Sequence, residues 1–218
     1  MCGLVGARGP VPAADWRRAL AGAAARGPHS YGWGRLQDDG TWAVQYGAGS
    51  LTGRPPPPAG TVLIGHSRLA TSTARPGDLP DPAEGQPLTS ADGASALAHN
   101  GAATNPALLA HASRTPRDSS ALLELLLGGL ETLREHGALL DGAPHALILA
   151  HDGCLAVWRR PGPRRDAHPL YLTRYPQDGW LVAQKGAASD LLGHGLTVLE
   201  RQKAPARRSG PGHVGAAL

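Results

Sequence analysis

The residue with the most distinctive chemistry in this chain is its second. The opening reads Met1-Cys2-Gly3-Leu4-Val5-Gly6. With Met1 removed, Cys2 carries two reactive groups on one residue. Its thiol becomes a nucleophile on deprotonation, with a free pKa of ~8.5. Its α-amine, with an ordinary pKa of about 7.7–8.0, suits a general base at neutral pH. A terminal nucleophile activated by its own amine is one known route to covalent catalysis. Gly3 and Gly6 fit a stretch where backbone packs close to another group. The alternative is a cysteine that merely follows the start codon.

Three other stretches hold groups that could do chemistry. Arg68 stands in Gly65-His66-Ser67-Arg68-Leu69-Ala70-Thr71-Ser72, just after the apolar run Thr61–Ile64. A charged residue closing a buried strand calls for an anionic partner. The planar guanidinium fits a carboxylate with two parallel bonds. That carboxylate is either a ligand's or one of the chain's own. Asn100-Gly101 follows the apolar Ala96–His99. The pair is either a hairpin turn or an amide plus a backbone N–H presented to a developing oxyanion. Asp118, in Arg117-Asp118-Ser119-Ser120, or a serine after it, suits the cap of a helix that buries Leu122, Leu123, Leu125 and Leu126.

The elements needed to position these groups are mostly strands. Residues 2–8 read as a short buried strand. Residues 13–25 read as a helix, with Trp16, Leu20 and Ala23–Ala24 on one face, stopped by Arg26-Gly27-Pro28. A strand follows that break, and Thr41–Tyr46 alternate as another beyond the turn at Asp38-Asp39-Gly40. Residues 73–88 are rich in proline and lack periodicity, which fits a lid, a binding loop or a disordered segment. Leu130–His136 reads as a helix. His145–Ala150 and Cys154–Trp158 read as a hairpin across Asp152-Gly153, with Cys154 in the core. Leu170–Thr173 and Gly179–Ala183 read as a further strand pair, and Ser189–Leu192 as a short helix. Short strands with few helices between them predict an α+β fold of two stacked antiparallel sheets with helices outside.

Composition narrows the function classes. The 218 residues suit one domain or two small ones. The formal charge of +4 is carried by scattered arginines, including the pairs Arg159–Arg160, Arg164–Arg165 and Arg207–Arg208. No aromatic residues interleave them, so a nucleic-acid platform is not expected. The two cysteines, Cys2 and Cys154, give neither metal spacing nor a disulfide framework. No metal or other cofactor is therefore expected. A thiol that must stay reduced points to the cytoplasm. No apolar run approaches ~20 residues, so no transmembrane helix is expected, and no signal segment precedes Cys2.

Taken together, MCGLVG at 1–6, RGPHSYG at 26–32, GHSRLATS at 65–72, HNG at 99–101 and RDSSALLELL at 117–126 resemble the glutaminase domain of class II glutamine amidotransferases. These are N-terminal-nucleophile hydrolases. HALILAHDGCLAVWRR, HPLYLTR and GWLVAQKGAASDLL are similar to that domain's later strands. The resemblance covers roughly residues 2–195 and implies a four-layer αββα sandwich. It implies one glutaminase domain over 2–199, with 200–218 as a basic, Gly-rich, loosely ordered tail. It implies that Cys2 attacks the side-chain amide of L-glutamine, while Asn100 and Gly101 hold the oxyanion. It further implies that Arg68 binds the substrate α-carboxylate with Thr71 in support. Asp118 then binds the α-amino group, Arg26 and Gly27 line the nucleophile pocket, and residues 72–88 close as a lid. His29 stands where the family often has Asp, and Leu69 where an aromatic residue is common. The family's synthase domain has no counterpart after residue 200. The expected partner is therefore a separate synthase chain that accepts the ammonia. The other readings are a stand-alone γ-glutamyl amide hydrolase and a non-catalytic regulatory subunit.

Overall fold

A computed structural model describes residues 2–69, 85–102, 118–127, 132, 145–151, 154–160, 168–185, 190–193 and 195–201. In chain order the strands are β1 (Gly3–Arg8), β2 (Ser30–Leu36), β3 (Trp42–Ala48), β4 (Val62–Arg68), β5 (Leu88–Thr89) and β6 (Ala96–Asn100). They continue with β7 (His145–His151), β8 (Cys154–Arg160), β9 (Tyr171–Arg174), β10 (Trp180–Ala183), β11 (Asp190–Leu191) and β12 (Gly195–Arg201). The helices are α1 (Ala13–Arg26) and α2 (Asp118–Leu126). Among the described residues these strands form two antiparallel sheets. One has the order β11-β9-β10-β1-β4-β2-β3, the other β12-β8-β7-β6-β5.

Alternation along the strands decides what each face touches. From β1 and β4, Leu4, Val62 and Ile64 point into the space between the sheets. There they meet Ala96 and Ala98 of β6, Ala146 and Ile148 of β7, and Leu155 and Val157 of β8. Leu4, Ile64 and Ile148 are fully buried, and burial of each such side chain stabilises by roughly 1.5–3 kcal/mol. The opposite face of the first sheet, with Val5, Ala7, Leu63 and Leu181, is covered by Trp16, Ala19 and Leu20 of α1. The outer face of the second, with Leu97, Leu149 and Trp158, is covered by Ala121, Leu122 and Leu125 of α2. The result is the expected αββα sandwich.

Small residues set how closely α1 lies on its sheet. A Cβ on Gly3 would overlap the carbonyl of Ala23, and one on Gly22 the carbonyl of Lys185. At the helix end, a Cβ on Gly27 would overlap the carbonyl of Ser67. The last turn of α1 is thereby held against the start of β1, the residues after β10 and the end of β4.

Three details depart from the sequence-based expectations. The strand expected over Thr61–Ile64 continues through His66, Ser67 and Arg68, because β4 is paired on both sides, by β1 and β2. Asp190–Leu191, expected within a short helix, instead pair with β9. A strand at Gly195–Arg201 was not foreseen, and it carries ordered pairing to Arg201, opposite Cys154. The helix expected over Leu130–His136 lies outside the described residues except for Thr132, as does the side chain of Cys154.

Candidate active site

Strand register gathers the candidate groups at one end of the sandwich. Gly3 lies opposite Ser67 and Leu4 opposite His66, so extending that register sets Cys2 beside Arg68. On the other side of β1, Val5 lies opposite Ala183, which brings Gln184 next to Leu4. In the facing sheet, β6 ends at Asn100. All of these lie where β1 begins and where β4, β6 and β10 end.

Cys2 is half-buried and held through its backbone. Its carbonyl accepts from Arg26 Nε at 2.9 Å and from Asn100 Nδ2 at 2.6 Å. The second bond crosses from one sheet to the other. Burial pushes the Cys2 thiol up, and a hydrogen bond from the Leu69 backbone pulls it back, as do the charges of Arg68 and Arg26. The net direction is upward. Arg26 is lowered by its own burial and raised by Cys2. At Leu69 it is therefore the main chain that meets the sulfur.

Gly27 acts through what it lacks, since its missing Cβ lets the helix end rest on Ser67 and Arg68. The backbone N–H of His29 donates to the Arg68 carbonyl at 3.2 Å, which further fixes the end of β4. Gly101 directly follows Asn100. The two are not a hairpin turn, because β6 pairs with β5 and β7 and neither adjoins it through this dipeptide. Thr71 lies outside the described residues, as do 72–84 of the expected lid. The last part of that segment is pinned: Tyr46 Oη donates to the Pro87 carbonyl at 2.9 Å, and Leu88 pairs with Leu97.

Asp118 opens α2 and is tied to the site indirectly. Its Oδ1 accepts the N–H of Ser119 at 2.7 Å, a bond local to the helix start. Its Oδ2 lies 3.9 Å from His99 Nδ1, and that nitrogen is 2.9 Å from Ser119 Oγ. Gln86 completes the group: its Oε1 accepts from the His99 N–H at 2.6 Å, and its Nε2 donates to Ser119 Oγ at 3.1 Å. This network lies behind Asn100 and fixes the preceding residue.

Two buried polar residues at this end went unrecognised in the sequence. His66 is fully enclosed, and burial together with the neighbouring His99 and Arg68 pushes it down to about 3, against a backbone hydrogen bond to His99. Gln184, 1% exposed, takes the Leu4 N–H at 3.1 Å and Asn100 Nδ2 at 2.7 Å on its Oε1. Their signal was a polar residue inside or directly after an apolar strand, in VLIGHSR and WLVAQ.

Among the described residues no group of three or more His, Cys, Asp and Glu could hold a metal, and no helix is long and apolar enough to cross a membrane.

Two stacked antiparallel sheets with helices on both outer faces give the αββα sandwich fold found in N-terminal-nucleophile hydrolases. The fold is that of class II glutamine amidotransferase domains. The chain is similar to the glutamine phosphoribosylpyrophosphate amidotransferase of B. subtilis complexed with ADP and GMP, at TM-score 0.64 and 20% identity over 92% of this chain and 49% of that one. It is also similar to a structure described as the allosteric regulatory enzyme of purine biosynthesis, at TM-score 0.61 and 22% identity over 84% of this chain and 42% of that one. The chain thus spans half the length, or less, of these two structures. No family model and no curated protein matches it.

Proposed function

We propose that this chain is the glutaminase component of a glutamine amidotransferase, hydrolysing the side-chain amide of L-glutamine through a thioester on Cys2. The reading rests on the meeting of Cys2 with Asn100 across the sheet interface, with the Leu69 backbone and the charge of Arg68 at the sulfur. In the reaction the Cys2 α-amine takes the thiol proton and the thiolate attacks the amide carbon. Asn100 and Gly101 stabilise the resulting oxyanion. Losing one such donor costs about 2.7–4 kcal/mol of barrier. The amine then passes its proton to the leaving nitrogen, ammonia departs, and water cleaves the thioester to glutamate. Arg68, supported by Thr71, holds the substrate α-carboxylate and Asp118 the α-amino group. A substrate lacking either charge leaves its partner unpaired, which gives selectivity. Ammonia passes to a separate synthase chain by a path shielded from water. Residues 2–199 form the glutaminase domain in this reading, and the compartment is the cytoplasm.

The test is glutamate release from glutamine by protein whose loss of Met1 is verified by intact mass. Wild type should turn over and Cys2→Ala should not, with its melting temperature retained. Equal release by the two proteins would reject the mechanism. Full turnover without any partner, and no gain on adding co-purifying chains, would favour the stand-alone hydrolase.

A further inference from the structure

We infer that Gln184 is a positioning residue for the nucleophile and the oxyanion donor, an assignment that rests on the reaction proposed above. Gln184 directly follows β10, and its backbone N–H donates to the Leu4 carbonyl at 3.3 Å. The side chain then folds over the same partner, its Oε1 taking the Leu4 N–H at 3.1 Å. The oxygen also accepts from Asn100 Nδ2 at 2.7 Å. One atom therefore clamps the start of the strand that carries Cys2 to the amide that reaches Cys2.

The orientation of both amides follows from their fixed neighbours. Leu4 N–H is a donor and requires an oxygen from Gln184. The Cys2 carbonyl is an acceptor and requires the nitrogen of Asn100. Turning either amide around would set like against like. This arrangement leaves Gln184 Nε2 buried with no hydrogen-bond partner among the described residues. An unmet buried donor is costly, and it persists here because Oε1 is committed to two bonds at once. A side chain serving packing alone would not carry that cost.

The experiment compares Gln184→Met, which keeps the shape and removes both acceptor bonds, with Gln184→Glu, which keeps the acceptors and can add a negative charge. Two readouts are taken: steady-state glutamine hydrolysis, and the pH midpoint of Cys2 alkylation by iodoacetamide, located by peptide mass mapping. Gln184→Met should lower kcat by about 10- to 100-fold, as a misplaced oxyanion donor does, with KM changed less than about threefold. Gln184→Glu should recover kcat to within about tenfold of wild type and move the alkylation midpoint to higher pH, because an added anion disfavours the thiolate. A Gln184→Met enzyme within twofold of wild type in kcat overturns the assignment. Should that variant fail to fold, an alkylation midpoint in Gln184→Glu identical to wild type overturns it instead. If wild type hydrolyses no glutamine but the midpoint moves in the uncharged Gln184→Met, the positioning role stands and the proposed substrate falls.

Discussion

Lowering the pH should unfasten this protein from His66 outwards. The imidazole sits in the middle of β4, between Leu4 of β1 and Gly32 of β2, and faces the other sheet. Its Nε2 is buried without a hydrogen-bond partner among the described residues, and its ring bonds to the backbone of His99. Burial first, then the charges of His99 and Arg68, hold its pKa at about 3 against an ordinary 6.5. The unfolded chain therefore takes up the proton before the folded one does. This contribution to stability is fully present above pH 6.5 and is lost as the pH falls toward 3. At 1.36 kcal/mol per pKa unit, about 2 kcal/mol disappears between pH 8 and pH 5, and about 4–5 kcal/mol by pH 3. His66→Asn isolates this residue, since an amide can still donate to the His99 carbonyl but gains no proton. Urea unfolding at pH 8 and pH 5 should show the variant losing about 2 kcal/mol less than wild type. An equal loss in both proteins would refute the reasoning.

Two further outcomes test the site's construction. Gly27→Ala places a methyl where the Ser67 carbonyl already stands, and overpacking of this kind costs about 1–3 kcal/mol. Because the displaced segment carries Arg68 and Leu69, a lower melting temperature should be accompanied by at least a tenfold drop in kcat/KM for glutamine. An unchanged melting curve would show that the helix end can yield. Asp118→Asn keeps an oxygen for the Ser119 N–H but removes the charge. It should raise KM for glutamine more than it lowers kcat, and an unaltered KM would count against an ammonium contact.

The sandwich was legible because its strands are short, mostly apolar runs and its breaks are marked by glycine and proline. The runs Gly3–Arg8, Ala96–Asn100 and the hairpin strands around Asp152-Gly153 carry that pattern plainly. The end of β4 was misjudged because His66, Ser67 and Arg68 are polar, and polarity usually marks the close of a buried strand. Pairing on both sides overrides it, since the backbone stays satisfied in the ladder whatever the side chains need. Asp190–Leu191 misled for a related reason: two residues carry no periodicity, and their strand exists only because β9 offers an edge. At the site, Cys2 and Asn100 stood out in the sequence as candidates, and the structure brings the Asn100 amide onto the Cys2 carbonyl. Gln184 did not stand out, because its role comes from being brought beside residues 84 and 180 positions away. Gln86 stood within the proline-rich residues 73–88, yet nothing local indicates that it holds His99 and Ser119.

The contacts of Asn100 bear on how it could serve an oxyanion. Both N–H groups of its amide are engaged, one at the Cys2 carbonyl and one at Gln184 Oε1. A donor committed to two acceptors cannot serve a third without leaving one. Here leaving orphans neither. The Cys2 carbonyl retains Arg26 Nε at 2.9 Å, and Gln184 Oε1 retains the Leu4 N–H at 3.1 Å. Either bond can therefore be exchanged for one to a charged oxygen, and charge-assisted bonds are roughly twice as strong as neutral ones. Removing Arg26 would destroy this reserve on one side, because Asn100 would then be the remaining side-chain donor to the Cys2 carbonyl among the bonds described. Arg26→Leu should consequently lower kcat by slowing release of Asn100, beyond any effect on the thiol. Its alkylation midpoint at Cys2 separates the two: if the whole loss in rate is accounted for by a shifted thiol, the exchange argument fails.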